Sequence, residues 1–251
     1  MFRTELSPKK HEHSLSHTTP VLTIGSCFSD QIGGYFEKNK FDVLSNPFGT
    51  VYNPISIFKL LRFAVAQSEP EEYSYIHDQG LHSNFEFHSK FSSSDKNLLQ
   101  QNIKNSIDNT HNFLKRADFL ILTLGTAFAY ERVENEQIVA NCHKVPAKQF
   151  KKILLTESQI IKAFYGVKEE LNRFNENLQI ILTVSPVRHV KDTLELNAVS
   201  KSILRMVCHR LCDQYDSVHY FPSYEIVLDD LRDYRFYQRD MIHPNEIAEE
   251  Y

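Results

Sequence analysis

Five short apolar runs rich in β-branched residues alternate with longer segments whose apolar residues recur at helical spacing, and this alternation constrains the fold most. Runs of this length and composition are typical of strands that are buried on both faces. Strands that alternate with helices indicate a parallel sheet with helical crossovers. The chain is therefore predicted to be an α/β protein with helices on both faces of its sheet. The predicted strands are VLTIG at 21–25, FDVLS at 41–45, DFLILTLG at 118–125, QIILTVS at 179–185 and SVHYF at 217–221.

Four segments between these runs predict helices, and two other segments interrupt the alternation. The first helix follows Asn53 and begins with a proline, which suits the first turn of a helix. Segment 67–96 mixes polar and aromatic residues and predicts a short hairpin or an irregular excursion. Segment 129–150 resembles a hairpin with its turn near residues 134–136. The predicted helices span 54–66, 97–115, 158–175 and 193–214.

Charge and composition argue against several classes of function. The 251 residues carry a formal net charge of −4 with both signs mixed, so the sequence predicts neither nucleic-acid nor membrane binding. It has no signal peptide and no run near the roughly 20 apolar residues of a membrane span, so a cytoplasmic location is expected. Four scattered cysteines predict reduced thiols. Residues 1–20 are expected to form a flexible leader, and residues 21–251 a single domain.

Polar residues and glycines follow the ends of the predicted strands, where open parallel sheets bind their ligands. Because the carboxyl ends of parallel strands meet at one edge, we expect these residues to converge there. A later segment, YQRDMIHPNE, places Asp240 three residues before His243 and is expected at the same edge. The other residues expected there are Ser26, Gly49, Asn53, Gly125, Thr126, Ser185, Arg188 and His189.

Ser26, Asp240 and His243 are the candidate catalytic residues. A serine hydroxyl needs a base to take its proton, and an imidazole base needs a carboxylate to orient it. An Asp-x-x-His segment supplies both partners on one loop. Backbone N–H groups at a helix N-terminus, such as those of Ser26 and Cys27, are suitable donors to a developing oxyanion.

Each candidate near the strand ends also has a structural interpretation. The Ser26 hydroxyl would cap the following helix. Cys27 would be nucleophilic as a thiolate at a helix N-terminus, but its side chain is expected to pack inward. Asn53 is expected to cap the proline-initiated helix rather than to hold an oxyanion. A tight turn or the end of a strand accounts for the remaining three, Gly49, Gly125 and Thr126.

Gly125 and three basic residues are candidates for substrate binding. His143 and His189 fit substrate binding and ordinary surface packing equally, whereas Arg188 is expected to pair with carboxylates of the segment LDDLRDYRF. No metal or other cofactor is expected. Cys208 and Cys212 share a helix face without a second pair of ligands, and the glycine patterns of nucleotide-binding loops do not occur in the sequence.

Six motifs follow one another along the chain: GSCFS at 25–29, SNPFGTVYNP at 45–54, LTLGTAFAYE at 122–131, NCHKVP at 141–146, TVSPVRH at 183–189 and SYEIVLDDLRDYRFYQRDMIHPN at 223–245. As an ordered set they resemble the GSCFA-domain proteins, which belong to the SGNH/GDSL hydrolase superfamily. The resemblance covers nearly the whole chain after residue 20. It implies a flavodoxin-like, three-layer α/β/α fold with sheet order 2-1-3-4-5 and a serine hydrolase site.

Carried over by position, the resemblance implies roles for individual residues. Ser26 would be the nucleophile, and Asp240 with His243 would complete the triad. Gly49 would match the oxyanion glycine of the superfamily. The third superfamily motif has an oxyanion asparagine where this chain has Ala127, so either the activity is weak or another group replaces that donor. The candidates for this replacement are Asn53 and Thr126.

The sequence therefore favours a metal-independent serine esterase or deacylase. The expected substrate is an O-acyl ester, such as an acetyl group on a carbohydrate, on the ground of superfamily analogy alone. Two alternatives stay open. Ala127 suggests a weakly active or inactive module that binds a glycan or acyl ligand, and Cys27 suggests thiol chemistry.

Overall fold

The computed structural model of the protein describes residues 4–10, 12 and 14–251. Its strands are β1 Val21–Gly25, β2 Val43–Ser45, β3 Tyr75–Asp78, β4 Leu81–Asn84, β5 Phe119–Leu124, β6 Phe128–Arg132, β7 Ile138–Val139, β8 Phe150–Leu154, β9 Gln179–Val184 and β10 Val218–Tyr220. Its α-helices are α1 Cys27–Lys38, α2 Pro54–Ala66, α3 Lys96–Leu114, α4 Glu157–Phe174, α5 Leu194–Gln214, α6 Ser223–Glu225 and α7 Glu246–Glu250.

Five parallel strands form the central sheet, in the order β10-β9-β5-β1-β2. Counted along the chain and read from the β2 edge, this is the predicted order 2-1-3-4-5. In β1, Thr23 pairs with Ser45 of β2 and Gly25 pairs with Thr123 of β5. Every residue of β1 is buried, as are most residues of β5 and β9, because helices cover both faces of a parallel sheet. The structure confirms the three-layer α/β/α architecture.

The predicted strands of this sheet and the four predicted helices begin and end within two residues of their expected positions. α2 has the predicted bounds because the Asn53 side chain accepts a hydrogen bond from the Ser56 N–H and Pro54 occupies the first turn. This confirms Asn53 as a helix cap. No helix in the described part of the chain combines the length and apolar character needed to cross a membrane.

The two segments that interrupt the alternation form small antiparallel sheets. Segment 67–96 contains the hairpin of β3 and β4. Segment 129–150 contains the predicted hairpin of β6 and β7, and β8 adds a strand to the other edge of β6. The two segments contact each other because the Phe85 carbonyl accepts hydrogen bonds from the N–H groups of Ala140 (2.9 Å) and Asn141 (3.1 Å).

The expected leader lies partly outside the described residues, since residues 1–3, 11 and 13 are not described. In its described part, the His17 carbonyl accepts a hydrogen bond from the Asp42 N–H (3.0 Å), and the His17 ring stacks on Phe41 with centroids 4.6 Å apart. Leu6 donates its N–H to an Asp230 carboxylate oxygen at 3.1 Å. These contacts place described parts of the leader against the α/β fold, and the flexibility of residues 1–20 stays a prediction.

Candidate active site

The turn between β1 and α1 brings the chain sharply from the sheet into a helix. Gly25 adopts a φ of +150°, and a Cβ atom there would overlap the backbone of Thr123 in the neighbouring strand. Only glycine fits this close approach. The Ser26 N–H donates to the Thr123 carbonyl at 3.1 Å, so the turn is tied to the carboxyl end of β5.

Ser26 occupies the N-cap position of α1, but its side chain does not cap the helix. The side chain is fully buried, and its Oγ has no hydrogen-bond partner among the described residues. The structure therefore rules out the capping interpretation of Ser26. It also contains no hydrogen bond between the Ser26 hydroxyl and His243, so the expected triad is not assembled in this conformation.

Cys27 is the first residue of α1 and is only partly buried, which reverses the expected orientation of the two neighbours. Ser26 has extended backbone (φ −68°, ψ 175°), so its side chain and the next one leave the chain in different directions. Burial raises the pKa of the Cys27 thiol, and the Asp30 carboxylate raises it further. The backbone N–H of Phe28 and the charge of Lys201 act in the opposite direction. Cys27 is thus partly buried rather than fully packed inward.

Asp240 and His243 form a hydrogen-bonded pair. The Asp240 Oδ2 atom lies 2.7 Å from His243 Nδ1, and Oδ1 accepts the N–H groups of Ile242 (2.9 Å) and His243 (3.1 Å). These bonds lower the pKa of Asp240 to about 2, and the hydrogen bond with the His243 side chain has the largest effect. Because an ionised carboxylate only accepts hydrogen bonds, Nδ1 carries a proton, and in the neutral ring Nε2 is the nitrogen with a free lone pair. The pair has the arrangement of a general base and its orienting carboxylate.

The pair lies next to the loop that follows β9. The Arg188 N–H donates to the Ile242 carbonyl at 3.2 Å, and the charge of His243 lowers the pKa of His189. The His189 ring in turn meets the Tyr52 ring edge to face, with centroids 5.6 Å apart. Contacts and charges thus connect the Asp240–His243 pair to the carboxyl edge of the sheet.

His189 is a neutral side chain at this edge. Burial lowers its pKa to about 4, and the positive charges of Lys201, His243 and Lys152 add to the effect, partly offset by a hydrogen bond with the Gly125 backbone. Its Nε2 atom is buried without a hydrogen-bond partner among the described residues. Substrate binding by His189 stays a prediction.

Two of the expected oxyanion donors are engaged in holding the fold. Gly49 adopts a φ of +75° in a tight turn, and its N–H donates to the Asn46 carbonyl at 2.8 Å. The Asn53 Oδ1 atom caps α2, and its Nδ2 group donates to the Val139 carbonyl at 3.3 Å. The single Gly49 N–H and one of the two N–H groups of the Asn53 amide are thus engaged, and the oxyanion roles of both residues stay predictions.

Gly125 and Thr126 are held in the same way. Both N–H groups donate to the Tyr52 carbonyl, at 2.9 and 3.1 Å, and the Thr126 hydroxyl lies 3.0 Å from the Ser200 hydroxyl. The Thr126 N–H is therefore engaged, and an oxyanion role for the Thr126 hydroxyl stays a prediction. The Cys27 N–H differs from these groups because the first N–H of a helix has no intrahelical acceptor. It is the remaining candidate among the expected donors.

His143 and Arg188 make contacts that the sequence left open or predicted differently. The His143 Nε2 atom lies 2.7 Å from the Asn84 carbonyl, which places this ring in the contact between the two inserted segments. The Arg188 guanidinium lies over the rings of Tyr237 (4.1 Å) and Tyr234 (5.1 Å). Cation–π contacts thus replace the carboxylate pairing that was predicted for Arg188.

Sequence reasoning missed Lys201, which is 1% exposed in α5. Its Nζ atom donates to the carbonyls of Gly125 (2.6 Å) and Ser185 (2.7 Å), just after β5 and β9. A signal was present, because Lys201 falls on the buried stripe of α5 at helical spacing from apolar neighbours. The buried residues of that stripe are Asn197, Ser200, Lys201, Leu204, Val207, Cys208 and Leu211.

Asn46 is a second residue that was missed, and it connects β1 to the loop after β2. Its side chain accepts the Gly25 N–H at 3.0 Å and donates to an Asp30 carboxylate oxygen at 2.7 Å. Its backbone has a φ of +42°, in the left-handed region that asparagine tolerates. Asn46 therefore holds the turn on which Ser26 and Cys27 stand.

Comparison with known proteins gives one family. The model of the GSCFA family matches residues 20–251. No curated protein matches the chain.

Proposed function

Because the chain belongs to the GSCFA family, we propose that it is a carboxylic ester hydrolase of the SGNH/GDSL type that acts on an O-acyl ester. The observation that carries the proposal is the Asp240–His243 pair, whose Oδ2 and Nδ1 atoms lie 2.7 Å apart at the carboxyl edge of the sheet. Small acyl groups, such as acetyl on a carbohydrate, are the acyl groups proposed to be transferred to the enzyme and then to water, by superfamily analogy.

The proposed reaction has two halves. His243 Nε2 takes the proton of the nucleophile, which bonds to the ester carbonyl carbon, while the oxyanion accepts the Cys27 N–H. The intermediate collapses with loss of the alcohol, which leaves with the proton from His243. Water then attacks the acyl-enzyme, again with His243 as base, and releases the carboxylic acid. Asp240 keeps the His243 ring oriented and stabilises its cationic form.

Two neighbouring side chains are candidates for the nucleophile. The family resemblance favours Ser26, whose buried hydroxyl must be uncovered by a movement of the β1–α1 turn before it can meet a substrate. Cys27 is the second candidate, favoured by its partial exposure at the start of α1. The variants Ser26→Ala and Cys27→Ala separate the two, with Ser29→Ala as a matched control for loss of a buried hydroxyl in the same helix.

Turnover of p-nitrophenyl acetate by His243→Ala tests the proposal. Loss of a general base lowers the rate by about 10²- to 10⁴-fold. The matched control is His209→Ala, which removes the histidine of an exposed His209–Asp213 pair on α5 (3.4 Å). We expect His209→Ala to keep the wild-type rate. Wild-type turnover by His243→Ala would overturn the proposed mechanism.

A ligand-binding module without turnover is the second candidate function. The engaged donors Gly49, Asn53 and Thr126 and the unpartnered Ser26 hydroxyl favour it. It predicts that folded protein binds an acetylated oligosaccharide, measured by calorimetry, and leaves every acetyl group in place. Release of acetate that depends on His243 would exclude this alternative.

A further inference from the structure

A buried lysine lies beneath the candidate site. Lys201 is 1% exposed, and its Nζ donates to the Gly125 and Ser185 carbonyls at 2.6 and 2.7 Å. These carbonyls follow β5 and β9, which are neighbours in the sheet. The amine is therefore fixed at the edge of the sheet where the β1–α1 turn also ends.

Lys201 has no carboxylate partner among the ion pairs of the described residues. Burying an ammonium group without a counter-charge is costly, and two carbonyl oxygens repay only part of its lost hydration. Burial lowers the pKa of Lys201 to about 7, whereas a negative charge on Cys27 raises it. Without a carboxylate, the buried ammonium group of Lys201 is stabilised only if another negative group lies near it.

The groups that face this amine come from several elements. Burial chiefly raises the pKa of Cys27 at the start of α1, and the Lys201 charge acts against that rise. Burial chiefly lowers the pKa of His189 in the loop after β9, and the Lys201 charge lowers it further. Asp30 of the same helix also acts on Cys27 and raises the pKa of its thiol. Burial raises the pKa of Tyr52, and the charges of Cys27 and Asp30 raise it further. The Ser26 N–H is bonded to the Thr123 carbonyl, two residues before the Gly125 carbonyl that Lys201 binds, so α1 starts at the strand end that holds the amine. Cys27, the first residue of α1, is the group whose negative charge acts on Lys201.

We propose that Lys201 is an electrostatic positioning residue, whose buried ammonium group favours negative charge at the start of α1, on the Cys27 sulfur and on an oxyanion bound there. Its two carbonyl hydrogen bonds hold the ends of β5 and β9 in place for this purpose. The proposal deepens the proposed function, on which the oxyanion part rests. The thiol part is independent, because it can be measured without substrate.

The titrations of Lys201 and Cys27 are coupled, and this coupling can be measured as a dependence of thiol reactivity on pH. Near neutral pH and below, Lys201 binds its proton and favours the thiolate of Cys27. At alkaline pH, Lys201 is neutral and the thiol ionises without its help. Loss of the lysine charge should therefore slow thiolate reactions near neutral pH and leave them unchanged at high pH.

The test is the alkylation rate of Cys27 by iodoacetamide, followed by peptide mass spectrometry from about pH 6 to about pH 10. In Lys201→Met, which keeps the length of the side chain, we expect Cys27 to react about three- to tenfold more slowly near neutral pH. The two profiles should converge at alkaline pH. A purely structural effect would change the rate at every pH by a similar factor.

Two internal controls accompany this measurement. Cys142 is also partly buried, and burial is the cause of its raised pKa, so its profile should not change in Lys201→Met. Asp30→Asn removes the opposing charge and should speed the reaction of Cys27. Identical Cys27 profiles in wild type and folded Lys201→Met would overturn the proposal.

If Lys201→Met does not fold, the wild-type profile alone decides. Two coupled groups give a profile with a shoulder, because the rate rises in two steps. A single sigmoid rise at the ordinary pKa of a thiol would also overturn the proposal. Failure of ester turnover with an intact shoulder would instead contradict the proposed function and leave the thiol part standing.

Discussion

Ser26 and Cys27 are adjacent, yet the structure buries the hydroxyl fully and leaves the thiol partly exposed. Both are candidates for the nucleophile of the proposed reaction, and they differ in what must happen first. Ser26 needs the turn to open, whereas Cys27 needs its proton removed against the effects of burial and Asp30. The identity of the nucleophile is thus decided by local geometry and charge at the residue scale.

Asp240 provides a prediction for pH dependence at the same scale. Its pKa in the folded protein, about 2, is below the ordinary value, chiefly because of its hydrogen bond with His243. A carboxyl group with a lowered pKa stabilises the fold above its unfolded pKa of about 4, and this contribution is lost as the pH falls through the folded value.

Carboxyl NMR titration should therefore place the midpoint of Asp240 near 2. Urea unfolding of wild type between about pH 4 and about pH 2 should lose more stability than that of Asp240→Asn, whose amide does not titrate there. An Asp240 midpoint at its ordinary value would show that the pair with His243 does not form in solution.

At the scale of elements, the β1–α1 turn depends on Gly25. A methyl group there would overlap the Thr123 backbone, and the φ of +150° is unfavourable for other residues. We expect Gly25→Ala to lower the free energy of unfolding by at least about 3 kcal/mol, measured by urea denaturation.

Gly34, in the same neighbourhood, is the matched control. It lies inside α1 with open space where a Cβ would be added. Gly34→Ala should raise stability by about 0.5–1 kcal/mol, since alanine favours helix more than glycine does. Equal effects of the two substitutions would contradict the tight strand-to-helix turn described here.

The elements themselves could be predicted from sequence because their signals are local. Alternating apolar runs marked the strands, and Asn53 followed by Pro54 marked the start of α2. The free donors of the site could not be predicted in this way. Thr126 looked available, but its N–H is taken by the Tyr52 carbonyl, and Asn53 also reaches Val139, far away in the sequence.

The orientations of the Ser26 and Cys27 side chains at the turn also could not be predicted from the local sequence. The sequence does not specify that Ser26 stays extended and points inward while Cys27 begins the helix. The burial of Lys201 could have been predicted, because helical spacing places it on the buried stripe of α5. The hydrogen bonds from Lys201 to the Gly125 and Ser185 carbonyls could not have been predicted, because these acceptors lie far away in the sequence.

At the scale of the whole molecule, the two inserted segments pack on each other beside the sheet. Phe85 is central to this contact, since its ring is 2% exposed and meets Phe150 with centroids 5.8 Å apart. The Arg132 guanidinium lies 4.8 Å from the same ring, and the Phe85 carbonyl accepts two N–H groups of the other segment. The two segments are thus expected to open together.

Phe85→Ala tests this coupling. Removal of a buried phenyl ring costs about 3–5 kcal/mol of stability, measured by urea denaturation. Hydrogen exchange should rise in residues 138–154 as well as around the substitution, because both lose the shared core. Phe221→Ala, at a ring that is 43% exposed, should have a much smaller effect. Exchange confined to residues 67–96 would contradict the coupling.

The central claim is that the β1–α1 turn and the Asp240–His243 pair form one acyl-transfer site. The most direct measurement is a short pulse of p-nitrophenyl acetate, an acid quench and peptide mass spectrometry to locate the acetyl group. We expect one acetyl group on Ser26 or Cys27, lost in His243→Ala and kept in His209→Ala. A folded protein with no acetyl group on either residue, or with labelling that does not depend on His243, would contradict it.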